Sequence, residues 1–266
     1  SCYSKDCPKK KQQTTHRSAT KELTRLLGGQ VFDYSKPLDL IEQLIFQATD
    51  DDATILDFFA GSSTTAHAVM AMNSQDYGHR KFIMIQLPEQ TDKKSEACKA
   101  GFKTICEIGK ERIRRAGEKI KEENPLMTTE LDTGFRVFKL DDTNMEDVYY
   151  SPAETNQQML LEFENNIKPG RTDLDLLFGC LLEWGLPLSL PYHSEQIDGV
   201  TVHTYNDGDL VACFDKNIPE DVIRTIAKRQ PLRAVFRDDS FEDSPSKINV
   251  SEIFKMISPD TRVKVI

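Results

Sequence analysis

Apolar residues change their spacing several times along the chain, and each change predicts an element. In "FDYSKPLDLIEQLIFQAT", Leu38, Ile41, Leu44 and Ile45 fall on one helical face, and Pro37 suits a first helical position. The run "ATILDFF" (53–59) is β-branched and aromatic and predicts a strand. Small residues, "AGSS", then turn the chain, and "TTAHAVMAMN" reads as a helix. "RKFIMIQL" (80–87) predicts a second strand, apolar enough to be buried on both faces as parallel strands are. Residues 95–123 predict one long amphipathic helix, with Glu111 and Arg115 at i,i+4 spacing. "GFRVFKL" (134–140) predicts a third strand.

A polar stretch, 141–157, reads as a boundary. Beyond it "LDLLFGCLLEWG" (174–185) is a compact apolar helix stopped by Gly185. "VTVHTYNDGDLVACF" predicts a β-hairpin around Asn206, Asp207 and Gly208. "PEDVIRTIAKR", "LRAVFRD", "VSEIFKMI" and "RVKVI" then alternate helix, strand, helix, strand, which predicts a second small α/β unit over about 190–266.

Charge refines this division. The net charge of −9 over 266 residues is uneven: residues 1–36 carry 8 basic and 3 acidic side chains, whereas 125–266 carry 14 and 25. The basic arm, 1–30, fits either a solvated tail or a segment lying along nucleic-acid phosphates. The acidic C-terminal half is not a nucleic-acid surface by composition. Six scattered cysteines form no C-x-x-C pair, which points to reduced thiols and a cytoplasmic setting rather than a metal site or a disulfide framework. No apolar run approaches the roughly 20 residues that span a bilayer, so no membrane contact is expected. The N-terminus lacks an apolar core of a secretory signal and does not begin with Met, which suggests a piece of a longer chain.

The turn after the first strand is the candidate site. The strand ends in Asp57, Gly61 lets backbone approach a ligand closely, and a helix N-terminus follows with free N–H groups for an anion. Ser63, Thr64 and Thr65 are placed to cap that helix or to bond a ligand. The loop matches neither G-x-x-x-x-G-K-[ST] nor a full G-x-G-x-x-G. His67, inside that helix, and Trp184 are both better read as packing residues.

"DFFAGSSTTAHAV" resembles motif I of S-adenosylmethionine-dependent DNA amino-methyltransferases, where D-x-F-x-G-S-G-T-T is typical. "FDYSKPLDLIEQLI" resembles motif X, and "RKFIMIQLPE" resembles motif II as it occurs in type III restriction–modification enzymes. The order X, I, II is that of the β class. "TICEIGKERIRRAGEKI", "GFRVFKLDDTN", "LLEWGLPLSLP", "ACFDKNIPEDV", "AVFRDDSF" and "KINV" are similar to the C-terminal half of type III modification (Mod) subunits, so the resemblance runs from about residue 20 to the end.

The resemblance implies that Asp57, Phe58, Phe59, Gly61, Ser63, Thr64 and Thr65 cradle the methionine part of S-adenosylmethionine, with the acidic residue near its ammonium. It implies that Phe32, Ser35 and Lys36 line the carboxylate side. Gln86, with Glu89 three residues on, stands where many relatives bond the ribose hydroxyls through an acid. Ser63 departs from the family's glycine; it fits with a negative φ or by tolerating the left-handed region.

Methylation of adenine N6 needs a flipped base held in a pocket, and the resemblance implies an Asp/Asn-Pro-Pro-Tyr/Phe motif that accepts its amino hydrogens. The chain has no Pro-Pro, and "SLPY" (189–192) is a poor match. In the β-class order this motif and the target-recognition region precede motif X. The expected architecture is therefore α/β: a partial Rossmann-like methyltransferase sheet lacking its catalytic half (31–140, motifs X, I, II and III), a helical connector (141–189) and a small C-terminal α/β domain (190–266). The implied function is the cofactor-binding portion of a DNA adenine-N6 methyltransferase, inactive alone. DNA, a second Mod subunit and the restriction (Res) subunit are the implied partners. The alternative is a non-catalytic module for dimerisation or Res docking.

Overall fold

The computed structural model describes residues 16–125, 131–146, 166–241 and 244–266. The chain forms two compact units, Ser1–Phe135 and Arg136–Ile266. Much of the expected boundary, 147–157, and the first half of the basic arm, 1–15, lie outside the described residues.

The first unit begins with a helix that charge alone did not reveal. In α1 (His16–Leu27), Ala19, Leu23 and Leu27 recur every four residues and are buried. Leu23 and Leu27 cluster with Val31 and with Ile108 of a later helix, α5 (Ile105–Glu123). Residues 16–27 are thus a packed amphipathic helix and not a solvated arm. In α2 (Leu38–Ala48), Ile45 and the partly buried Leu38 and Ile41 pack on Ala68, Val69 and Met72 of α3 (Thr64–Asp76). Pro37 is the N-cap of α2, just outside the helix. The other side of α3 meets α5 through Ala66, Met70, Ile113, Ala116 and Ile120. Buried from Thr64 to Asn73, α3 is the central helix of this unit.

Two short strands, β1 (Thr54–Asp57) and β2 (Lys81–Met84), pair in parallel, with Ile55 opposite Phe82 and Asp57 opposite Met84. Ile55, Phe82 and Met84 pack towards the helices. Leu56, Ile83 and Ile85 alternate with them and remain about half exposed. The expectation that the second strand is buried on both faces is therefore corrected: among the described residues one face is packed and the other stays about half exposed.

The single helix expected over 95–123 is also corrected. A short helix, α4 (Glu96–Lys99), stops at Gly101, whose φ of +94° is left-handed. Then α5 restarts through a capping box in which Thr104 and Glu107 satisfy each other's backbone donors. Nor is 134–140 a strand: its apolar alternation has no ladder partner among the described residues.

The second unit is a five-stranded sheet in the order β3-β4-β5-β6-β7. Strands β3 (Tyr192–Ile197), β4 (Val200–Tyr205) and β5 (Leu210–Cys213) are antiparallel neighbours; β6 (Arg233–Phe236) and β7 (Arg262–Val265) add in parallel. Preceding the sheet is α6 (Asp173–Glu183); α7 (Glu220–Lys228) and α8 (Ser244–Ile257) alternate with the last strands. Val211 and Cys213 face the cluster of α7 and α8, whereas Leu210 and Ala212 face α6. The sequence reading missed β3, although its turn signal is present: Asp198-Gly199, both with positive φ, closes the β3–β4 hairpin.

Candidate functional site

The site is the loop between β1 and α3, which sits at the carboxyl ends of two parallel strands, where ligands of α/β sheets gather. Asp57 ends β1 and organises the turn from inside. Its Oδ1 accepts from the backbone N–H of Phe59 at 3.1 Å and its Oδ2 accepts from the Thr65 hydroxyl at 2.7 Å. Phe58 and Phe59 are pushed outward, and Phe59 is 90% exposed. The chain then turns through two left-handed residues, Gly61 at φ +52° and Ser63 at φ +58°, ψ +43°. Ser63 thus adopts a conformation that costs a non-glycine residue roughly 1–2 kcal/mol.

Ser63 is also the N-cap of α3, yet its hydroxyl makes no capping hydrogen bond. Its side chain instead lies against Gly109 of α5, where an added Cβ would come within 2.5 Å of Ser63 Oγ. The absence of a side chain at Gly109 is what admits a serine in the loop.

Gln86 follows β2 and braces the loop. Its Oε1 accepts from the Gly61 N–H at 2.8 Å, and its Nε2 donates to Leu87 O at 3.2 Å. Both polar ends of this side chain therefore serve its own chain. Glu89, in the segment after β2, is exposed, and its backbone carbonyl accepts from the N–H of Ile105 at 3.0 Å.

The segment before α2 closes the other side. Phe32, partly buried in the α1 cluster, has its ring 3.7 Å from where a Cβ on Gly61 would stand. Ser35 is buried and Lys36 exposed; the Ser62 hydroxyl donates to Ser35 Oγ at 3.3 Å, joining the two segments. Of the twelve residues singled out from sequence, the structure links Phe32, Ser35, Asp57, Phe59, Gly61, Ser63, Thr64, Thr65 and Gln86 around this loop. Lys36 and Phe58 adjoin it and are exposed, whereas Glu89 is exposed and not tied to the loop by any hydrogen bond among the described residues.

Sequence reasoning missed Arg112 along with Gly109. Arg112 reaches from α5 to the back of the loop and is only 2% exposed. Its Nη1 donates to Thr64 Oγ1 at 2.7 Å and to Ser35 Oγ and Ser62 Oγ, each at 3.0 Å. Burial pushes its pKa down to about 10, against the opposing charge of Glu22. His67, one turn into α3, is held neutral: burial first, then Arg112 and Lys119, lowers its pKa to about 3. The helical spacing of Gly109 and Arg112 within "EIGKERIRR" was the available signal, but only the fold shows what they face.

The second unit holds a Ser–His–Asp contact: Ser194 Oγ lies 2.7 Å from His203 Nδ1, and His203 Nε2 lies 3.4 Å from Asp173 Oδ2. Ser194 and His203 are direct cross-strand partners, and the imidazole is buried. The arrangement satisfies a buried histidine and ties the hairpin to α6.

The sequence pattern of the DNA methylase family matches residues 4–118. The chain is 44% identical over 125 residues to the StyLTI type III Mod subunit of Salmonella typhimurium, covering 47% of this chain and 19% of that protein. It is 31% identical over 270 residues to the EcoP15I Mod subunit of Escherichia coli, covering 95% of this chain and 39% of that one. Similarity to the EcoPI Mod subunit of Escherichia phage P1 is 34% over 245 residues, 89% of this chain and 36% of the relative. The chain thus spans no more than 39% of the length of these relatives.

Proposed function

The chain belongs to the DNA methylase family, among relatives that are type III modification subunits, and from that premise we propose that it carries the S-adenosylmethionine-binding part of a DNA adenine-N6 methyltransferase. The observation that carries this reading is the left-handed loop Gly61–Ser63, which opens onto the N-terminus of α3 beside Ser35.

The residues present fit such a ligand. Asp57 is ordered by two hydrogen bonds and retains lone pairs for an ammonium. The first turn of α3 offers backbone donors to a carboxylate. Phe32, Ser35 and Lys36 flank that end, and Phe59 offers an exposed ring. Gln86 acts as the brace of the loop, which leaves Glu89 as the free carboxylate for the ribose hydroxyls. When bound, S-adenosylmethionine supplies an activated methyl group on its sulfonium; the residues named here bind and orient it.

The acceptor side of the reaction lies elsewhere. With no Pro-Pro in its 266 residues, the chain carries no match to the motif that receives the amino group of a flipped adenine. The bare apolar face of Leu56, Ile83 and Ile85 supports a sheet completed by further strands. In the complete enzyme those strands would bring DNA to the cofactor. Equilibrium dialysis with labelled S-adenosylmethionine tests the reading: micromolar-to-millimolar saturable retention, weakened by Thr65→Val, supports it, and no retention by the folded chain refutes it.

One observation favours a second role for the other unit. Ile248 and Met256 of α8 are both largely exposed, and residues 125–266 as a whole are acidic, with 14 basic and 25 acidic side chains. This surface suits protein contact with a second Mod subunit or the Res subunit better than DNA contact. Gel filtration of the chain alone, and of Met256→Glu, tests for self-association.

A further inference from the structure

Arg112 is a buried cation whose hydrogen bonds all go to neutral oxygens. Its three side-chain partners are the hydroxyls of Ser35, Ser62 and Thr64. Its Nε is buried and makes no hydrogen bond among the described residues. Glu22 of α1 favours the charge only from beyond hydrogen-bond range. Buried charges are ordinarily paired, because desolvation of an unpaired ion is costly. The surroundings here make the imbalance greater. Arg112 stands against the N-terminus of α3, the end where the peptide dipoles carry partial positive charge. The nearby His67 is neutral and offers no anion. Two positive features are thus built into one loop, with no carboxylate among the described residues hydrogen-bonded to the cation.

The hydroxyls determine how that charge is delivered. A guanidinium is donor-only, so each hydroxyl oxygen must accept from Arg112 and turn its own proton away. The Ser62 proton goes to Ser35 Oγ, and the Ser35 proton faces Lys36 O at a long 3.4 Å. The Thr64 hydroxyl, which takes the shortest contact from Arg112, donates to no protein group among the described residues. Polarised by the cation, Thr64 at the head of α3 is a donor in search of an acceptor.

We propose that Arg112 is a positioning residue for an anion: through Thr64 and Ser35 it aims a positive potential at the carboxylate of an amino-acid-bearing ligand seated at the N-terminus of α3. The inference rests on the S-adenosylmethionine reading, whose α-carboxylate is that anion. Arg112 acts from behind the loop. Its role is to make the site select the zwitterionic amino-acid end over a ligand that lacks the carboxylate.

The test compares S-adenosylmethionine with its decarboxylated analogue, binding each to the wild-type chain, Arg112→Lys and Arg112→Gln. The wild type is expected to prefer the carboxylate-bearing ligand by about tenfold or more, the scale of a charge-assisted hydrogen bond. Arg112→Gln is expected to lose most of that preference, weakening the carboxylate-bearing ligand by at least about tenfold more than the decarboxylated one; Arg112→Lys is expected to keep part of it. Equal affinities for the two ligands in the wild type overturn the proposal and leave the cofactor reading standing. An equal loss of both ligands in Arg112→Gln, at unchanged circular dichroism, overturns it too, because that is what a merely structural brace gives. If Arg112→Gln does not fold, Arg112→Lys decides: retained preference supports the proposal, and preference lost with the charge retained contradicts it. Binding of neither ligand to the wild type removes the cofactor reading and this inference together.

Discussion

Ser63 and Gly109 occupy one space between them. The left-handed Ser63 side chain fills the position where a Cβ on Gly109 would stand, 2.5 Å from the serine oxygen. A helix built on the usual residues would push this loop away; a glycine in α5 lets it close. Gly109→Ala is therefore expected to destabilise the chain by about 1–3 kcal/mol, the cost of overpacking. Urea titration of Gly109→Ala, Ser63→Gly and the double variant measures the coupling. Removal of the serine side chain should abolish roughly half or more of the alanine's cost. Additive effects would contradict the shared-space account.

Gln86 braces the loop, and the proposed function assigns the ribose to Glu89. Gln86→Leu leaves the Gly61 N–H without its acceptor and is expected to cost about 1–3 kcal/mol of stability. Glu89→Gln should leave the melting temperature unchanged and lower S-adenosylmethionine affinity by about tenfold. Paired thermal melts and binding titrations check both. The reverse pattern would return the ribose to Gln86.

His67 predicts a pH dependence with a definite sign. Its folded-state pKa of about 3 lies below the ordinary value of 6.5, so the unfolded chain binds this proton first. Its stability contribution is whole above pH 6.5 and is lost progressively as pH falls towards 3. The slope from this one group approaches about 1.4 kcal/mol per pH unit inside that window. The difference between wild type and His67→Leu in urea midpoint, taken at pH 7 and pH 5, isolates it. A difference that does not change with pH would show that His67 is not buried as a neutral ring.

Methyl transfer provides a negative prediction. The chain has no match to the Pro-Pro motif, so no label should pass from S-adenosylmethionine to an adenine-containing duplex. Incorporation above the level of a denatured control would show that some other group here receives the base.

How much of this was legible follows from where each residue's determinants lie. Asp57, Gly61 and Thr65 are linked by a loop of a few residues, so their types and spacing announced the turn. The segment around Ser35 was legible for the same reason: Pro37 marks where α2 begins. Arg112 and Gly109 were not, because their meaning depends on α5 crossing behind α3. The break in the expected long helix was written in Gly101 and the Thr104–Glu107 pair, and α-helical periodicity outweighed both. In α1 the signal was present too, in Ala19, Leu23 and Leu27, but the basic charges drew the reading away from spacing. The segment 134–140 shows the opposite error: its alternation suits a strand, and a strand also needs a neighbour to pair with.

The most direct test of the central claim is a calorimetric titration of the folded chain with S-adenosylmethionine, repeated with Asp57→Ala. One saturable site is expected in the wild type and at least about tenfold weaker binding in the variant, because Asp57 orders the loop and, in the proposed function, meets the ammonium. Absence of heat and of displacement by a labelled ligand, or binding indifferent to Asp57, would contradict the placement of the cofactor in this loop.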